Sequence, residues 1–314
     1  MMHYLNWAKT HKRVRYELTG SGVPPARPSD LAADPLPVRL EGQGTYGDPA
    51  LIDAIASRYG VPPESVLPVP GTSSANFIAM AVSATHGETV MIERPAYDPL
   101  GRIAAFLGLK VWPLERGPAG GFGITLDAVE NGLRSGARSV VMTNLHNPGG
   151  RYTPPDKIQE LAKVCARTDA TLIVDEVYLD SVAITARRRP WTAAAASPNV
   201  IATSSLTKVY GLDGLRAGWL IGHEDAIARA RDVMDLLSVV NAVPAAALAI
   251  EAFGRLDRLE ARYQRLHEEG QAAFRAWLGN EPLVAGYEND GALFECVRLP
   301  DGMDADRFCT YLVT

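Results

Sequence analysis

Cysteine is scarce in this chain: three in 314 residues, Cys165, Cys296 and Cys309. An odd number at wide, irregular spacing supplies neither a disulfide framework nor a metal-ligand pattern, so a reducing compartment is expected. Excess positive charge is missing too, since 31 lysines and arginines against 36 aspartates and glutamates leave a net charge of −5. No strong basic field is available for nucleic acid or an anionic membrane. The one basic run, Arg187-Arg188-Arg189, is too short to change that and reads as a solvated loop. Long apolar runs are absent. Met1 to Lys12 lack the apolar centre of a secretion signal, and no later stretch is long and apolar enough to cross a bilayer. These absences point to the cytoplasm. The chain also lacks a GxGxxG dinucleotide fingerprint, internal repeats and low-complexity tracts.

The remainder has the balance of a soluble globular protein, 47% hydrophobic and 21% charged, with a length that suits about two domains. Residues 1–40 collect turn formers (Gly20-Ser21-Gly22, Pro24-Pro25, Pro28, Pro35, Pro37) and read as an extended arm, with Tyr4 to Trp7 able to pack on a larger body. Residues 41–252 alternate helical periodicity with short apolar runs. Helices are expected over Pro49–Tyr59, with Asp48 as cap, over Ser74–Ala84 and over Asp156–Arg167. Strands are expected near Val90–Ile92, Lys110–Trp112, Ser139–Thr143, Thr171–Asp175, Val200–Thr203 and Ala217–Ile221. Several of these lack polar alternation, as strands buried on both faces do. The fold class is therefore α/β, a mostly parallel sheet with helices on both faces. Over residues 253–314, Arg255–Leu278 is a long charged amphipathic stretch suited to bridging two units. Gly291–Leu299 then reads as a strand opening a smaller α+β domain.

The chemistry concentrates around Lys208. Residues 204–219 read Ser-Ser-Leu-Thr-Lys-Val-Tyr-Gly-Leu-Asp-Gly-Leu-Arg-Ala-Gly-Trp, with Ser205 three places before the lysine and Arg216 eight places after it. A lysine amine condenses with an aldehyde to form a Schiff base. The hydroxyl and guanidinium beside it suit a phosphate, and pyridoxal 5′-phosphate (PLP) carries both groups. Other segments place polar residues at strand ends, where open α/β sheets bind ligands. Asp175 closes Thr171–Val174 and can cap, form an ion pair, or face a protonated ring nitrogen. Asn147-Pro148-Gly149 follows another strand and is also a common turn. Gly71-Thr72-Ser73 precedes a buried helix, as a helix cap or a phosphate loop would. His146 reads as a structural loop histidine.

In this order the segments resemble the class I/II aminotransferases, fold-type I PLP enzymes, over roughly residues 15–300. The resemblance implies that Lys208 bears the cofactor and that Asp175 pairs with its pyridine nitrogen. It assigns Tyr178 and Asn147 to the ring's phenolic oxygen, and Gly71, Thr72, Ser73, Ser205 and Arg216 to the phosphate. Tyr97 would stack on the ring, where core packing is the plainer alternative. Tyr46 would reach the phosphate of a neighbouring subunit, so that a homodimer completes each site. The Asn147–Pro148 bond is a candidate cis peptide. The implied reaction moves an amino group between an amino acid and a 2-oxo acid. A PLP-dependent lyase uses the same residues, and a non-catalytic PLP-binding regulator is a further alternative. The arginine that pairs with the substrate carboxylate in this family has no counterpart before Thr314. Arg298 lies too early for that role, and an incomplete C-terminus is expected.

Overall fold

Five parallel strands ending at one rim are the framework on which the site is built. The computed structural model describes residues 20–31, 39–42 and 45–312. Its main sheet has seven strands: β1 (Val66–Val69), β2 (Thr89–Arg94), β3 (Lys110–Glu115), β4 (Ala137–Thr143), β5 (Thr171–Asp175), β6 (Val200–Ser205) and β7 (Gly218–Ile221). Their spatial order is β1-β7-β6-β5-β4-β2-β3. Strands β2 to β6 pair in parallel. Only β7 is reversed, antiparallel to both β6 and β1. Members β1, β5, β6 and β7 are buried almost throughout, in keeping with their missing polar alternation.

Two strands depart from the sequence reading. The run Val66–Val69 carries Pro68, which hides its strand character; it forms an edge strand, where a missing N–H is tolerated. Lys110–Glu115 lies at the opposite edge, so Val111 and Trp112 stay exposed and only Leu114 is buried.

Helices α3 (Thr72–Ser83), α4 (Asp98–Phe106) and α8 (Glu224–Leu237) cover one face of the sheet, sharing a core with Val90, Ile92, Ile201 and Leu220. Helices α5 (Leu126–Arg134) and α6 (Pro155–Ala166) cover part of the other, against Val140, Met142, Leu172 and Val174. Beside them, α2 (Pro49–Tyr59) and α9 (Val243–Phe253) pack around Trp219, whose ring meets Tyr59 and Phe253. The short α1 (Pro28–Leu31) and α7 (Leu179–Thr185) complete this cluster. The Asp48 side chain caps α2, accepting from the Ala50 N–H, with Pro49 in the first turn.

Helix α10 (Leu256–Leu278) buries only Leu259 and Tyr263, and its charged flank holds the arm. There Arg262 donates to the Pro24 carbonyl at 2.7 Å and lies 3.6 Å from Asp30. The expected packing of Tyr4 to Trp7 falls outside the described residues. Beyond α10 the expected strand Gly291–Leu299 shrinks to β9 (Val297–Arg298), paired with β8 (Ala285–Gly286). The Asn289 side chain accounts for this. It accepts from the Gly291 and Ala292 N–H groups and donates to the Phe294 carbonyl, engaging backbone that a longer ladder would have used. A last helix, α11, spans Ala305–Leu312.

A buried ion pair fixes the rim. Arg116 donates to Glu93 at 2.6 Å, and Glu93 also accepts from the Thr143 backbone and hydroxyl at 2.9 and 2.5 Å. Burial pushes the Glu93 carboxyl up, against the pull of Arg116. Removing one partner strands the other charge away from water. Arg116→Met is therefore expected to lose about 3–5 kcal/mol of unfolding free energy, measured by urea denaturation. A loss under about 1 kcal/mol would contradict this account.

Candidate active site

Parallel pairing brings the ends of β4, β5 and β6 to the same side of the sheet, and with them Thr143, Asp175 and Ser205. The loop after β6 carries Lys208, and the turn Asp213–Leu215 leads into Arg216. Arg216 adopts a left-handed backbone, φ 51°. Facing this loop is the N-terminus of α3, entered through Gly71 at φ 87°. A Cβ on Gly71 would sit 2.5 Å from an Arg216 guanidinium nitrogen, and one on Gly218 would sit 2.5 Å from the Gly71 backbone. Only glycine admits this approach, which lays the arginine across the helix N-terminus.

These elements enclose a cavity of ≈ 360 Å³. Its walls include Lys208, Asp175, Tyr178, Tyr97, Asn147, Thr72, Ser73, Ser205 and Arg216. Gly71 borders it through Arg216. Tyr46 lies elsewhere: its hydroxyl donates to Asp235 at 2.7 Å and its ring lies 5.3 Å from the Arg231 guanidinium carbon. The Asn147–Pro148 peptide is cis. Asn144 is spent on the loop, exchanging hydrogen bonds with the Thr153 backbone at 3.0 and 2.9 Å.

Asp175 is the best-held group. Its carboxylate accepts from Asn76 Nδ2 at 2.7 Å and from the Val177 N–H at 3.0 Å. Asn76 in turn accepts from the Thr203 hydroxyl at 2.6 Å, which fixes the amide's orientation. Burial raises the Asp175 pKa to about 6, although these bonds and nearby Lys208 pull the other way. The Lys208 amine is pushed down by burial and held up by Asp175 and Asp213. At the other end Thr72 donates to Ser205 Oγ at 2.8 Å. The cavity thus offers an anion cradle of guanidinium, hydroxyls and helix N-terminus, a partly desolvated amine, and a buried carboxylate.

His146 stays structural. It is buried, accepts at Nδ1 from the Gly149 N–H at 3.2 Å and meets the Pro95 carbonyl through Nε2 at 2.9 Å. Burial and Arg116 hold its pKa at about 3, so the ring is neutral. Arg298 is exposed and paired with Asp301 at 2.7 Å. Three contributors escape a reading by motif: Asn76, Thr143 and Ser21, whose Oγ accepts from Lys208 Nζ. Asn76 follows Thr72 by four residues, the spacing that puts both on one helix face, and that signal was available. The other two carry none.

The family model for aminotransferase class I and II matches residues 36–309. The chain belongs to that family. It is 33% identical over 232 residues to capreomycidine synthase from Streptomyces vinaceus, covering 70% of this chain and 58% of that protein. Against the valine–pyruvate aminotransferase of Mycobacterium tuberculosis it is 32% identical over 183 residues, 56% of this chain and 46% of the relative. The chain therefore spans about half the length of these two relatives. A PLP-dependent aminotransferase structure from Streptococcus suis superposes with a TM-score of 0.85 at 23% identity, covering 98% of this chain and 85% of that one. The superposition covers the seven-stranded sheet and its flanking helices as one shared fold. The cofactor of these aminotransferases is PLP. The cavity suits it, with an anion cradle at one end and a buried carboxylate behind.

That carboxylate has a measurable consequence. Its folded pKa, about 6, lies above the ordinary 3.8, so the cofactor-free protein loses stability as pH rises from about 4 through about 6. Asp175→Asn removes this dependence. Without cofactor, the variant's stability relative to the parent should improve by about 2 kcal/mol between about pH 4 and about pH 7, read by denaturant titration. A difference independent of pH would mean that the carboxylate is not desolvated.

Proposed function

We propose that the chain is a PLP-dependent aminotransferase that moves an amino group between an amino acid and a 2-oxo acid through Lys208. The observation that carries this reading is the cavity itself, where the Lys208 amine, the Asp175 carboxylate and the Arg216 cradle converge. When bound, PLP supplies an electron sink for the bonds at the substrate's Cα. Asp175 would keep the pyridine nitrogen protonated. Burial makes an unpaired charge there costly, so a cationic partner restores what desolvation takes away. Arg216, Ser205, Thr72, Ser73 and the Gly71 loop would hold the phosphate, and Tyr97 would lie against the ring. Tyr178 and Asn147 would hydrogen-bond the phenolic oxygen.

Lys208 would have two duties: to hold the cofactor and, when its amine is free, to act as the general base at the substrate's Cα. A downward-shifted lysine suits the second duty, because more of it is neutral near physiological pH. Among the described residues no helix is long and apolar enough to cross a membrane. A cytoplasmic site of action belongs to this reading, in keeping with three widely spaced cysteines. Tyr46 lies outside its own chain's cavity on the α8 flank, where Leu236 and Leu237 are exposed. That placement supports a homodimer in which Tyr46 serves the partner's site. The arm, α10 and the β8–β9 unit belong to the smaller domain in this reading, with residues 41–252 as the cofactor-binding domain. One alternative, a PLP-dependent lyase, would use the same residues; the synthase relative is a similar protein that is not named as an aminotransferase.

The deciding experiment incubates PLP-loaded protein with ¹⁵N-labelled amino acids and an unlabelled 2-oxo acid. Label recovered in the amino acid made from that acceptor supports the transaminase. Ammonia or amine released without transfer supports the lyase, and no turnover with any donor contradicts both. Lys208→Ala should abolish the visible absorbance of lysine-bound cofactor and lower turnover by at least about a thousandfold. Survival of the band would mean that the attachment site lies elsewhere.

A further inference from the structure

The lysine's nearest polar partner lies 187 residues earlier in the chain. Lys208 Nζ donates to Ser21 Oγ at 2.6 Å. The same residue accepts through its backbone carbonyl from the Tyr178 hydroxyl at 3.1 Å. One residue of the arm therefore contacts both side chains placed closest to the chemistry. Its position is itself secured. The Val23 N–H donates to the Lys208 carbonyl at 3.1 Å, the Ala26 N–H to the Gly211 carbonyl at 2.8 Å, and Arg262 of α10 clasps Pro24. Gly22 allows the close approach, since a Cβ there would already sit 3.3 Å from the Lys208 carbonyl oxygen. A hydroxyl is the fitting partner for an amine that must change protonation state, because it accepts from an ammonium and donates to a free amine.

We propose that Ser21 is a positioning residue for Lys208, holding its ε-amine in one orientation whenever that amine is not bonded to the cofactor. The inference rests on the reading of Lys208 as the cofactor-bearing base. The charged and titratable groups around the amine are Asp175, Asp213, Arg216 and Tyr178. None of them duplicates the Ser21 hydroxyl, so its removal leaves the amine less well solvated. Ser21 carries no charge, and its deletion alters no ion pair of the site.

The test compares Ser21→Ala and Ser21→Thr with the parent in cofactor-free protein. Lysines are labelled competitively with trace acetic anhydride across a pH series and read by peptide mass spectrometry. The exposed Lys110 and Lys163 report in the same sample on reagent and folding. In Ser21→Ala the Lys208 midpoint should move to lower pH, because the ammonium has lost an acceptor, while the control lysines do not move. Ser21→Thr should restore the parent midpoint. In the loaded protein Ser21→Ala should lower kcat about tenfold with KM unchanged, and threonine should recover most of it. An unshifted Lys208 midpoint, or a shift that threonine does not reverse, overturns the proposal. Borohydride reduction and peptide mapping of the loaded parent keep the two readings apart. Cofactor trapped on another lysine defeats the reading of Lys208, whereas Lys208 trapped with an unshifted profile defeats only the role of Ser21.

Discussion

A carboxylate buried at the end of a central parallel strand sets the terms for the rest of this site. Asp175 sits where water is excluded, with two hydrogen-bond donors and, among the described residues, no salt-bridged cation against it. Such a group is costly to leave ionised, and its raised pKa expresses that cost. The protein tolerates it because Asn76 and Val177 offset part of the penalty and Lys208 offsets a little more. The site is preorganised for a positive charge before any ligand arrives. The Asn76–Thr203 contact ties that preparation to α3 on one side and β6 on the other.

The neighbouring residue shows how sharply strand geometry sorts function. Glu176 is also buried, and burial takes its pKa to about 8. Its side chain faces the other way, accepting from Thr192 at 2.7 Å and the Ala193 N–H at 2.6 Å. Two consecutive acids thus serve the cavity and the packing respectively, Asp175 as the last residue of β5 and Glu176 as the first beyond it. The Glu93–Arg116 pair supports the cavity from outside. Thr143, which donates to Glu93, also accepts from the Asn147 N–H at 3.0 Å, so a buried ion pair positions a residue of the site at one remove.

A second charged cluster joins the sheet's periphery to α10. Arg58 meets Asp180 at 2.8 Å and Glu260 at 2.7 Å, while the Tyr59 hydroxyl donates to Asp180 at 2.7 Å. Asp180 lies two residues beyond Tyr178, and Tyr210, which Arg58 also contacts, lies two beyond Lys208. The helix that clasps the arm is therefore coupled to the flanks of both reactive side chains. Removing either acid would leave the Arg58 guanidinium underpaired where little water reaches it.

The local strings were sufficient for much of this. Lys208 with Ser205 and Arg216, an aspartate closing an apolar run, and the alternation of strand and helix are all features of neighbouring residues, and they mapped onto one cavity in an α/β sheet. Strand Val66–Val69 was illegible because Pro68 masks an edge strand, and Gly291–Leu299 misled because Asn289 diverts its backbone. Asn76 left a trace in its four-residue spacing from Thr72. Ser21 left none, because its place beside Lys208 follows from the arm's path across the sheet. The reversal of β7 and the turn of Tyr46 toward Asp235 were equally hidden. Residues far apart in sequence meet only when the core closes, and no local pattern encodes which distant hydroxyl will reach a given amine. Local chemistry chose the reactive groups; the long-range packing of arm, helix and sheet chose their partners.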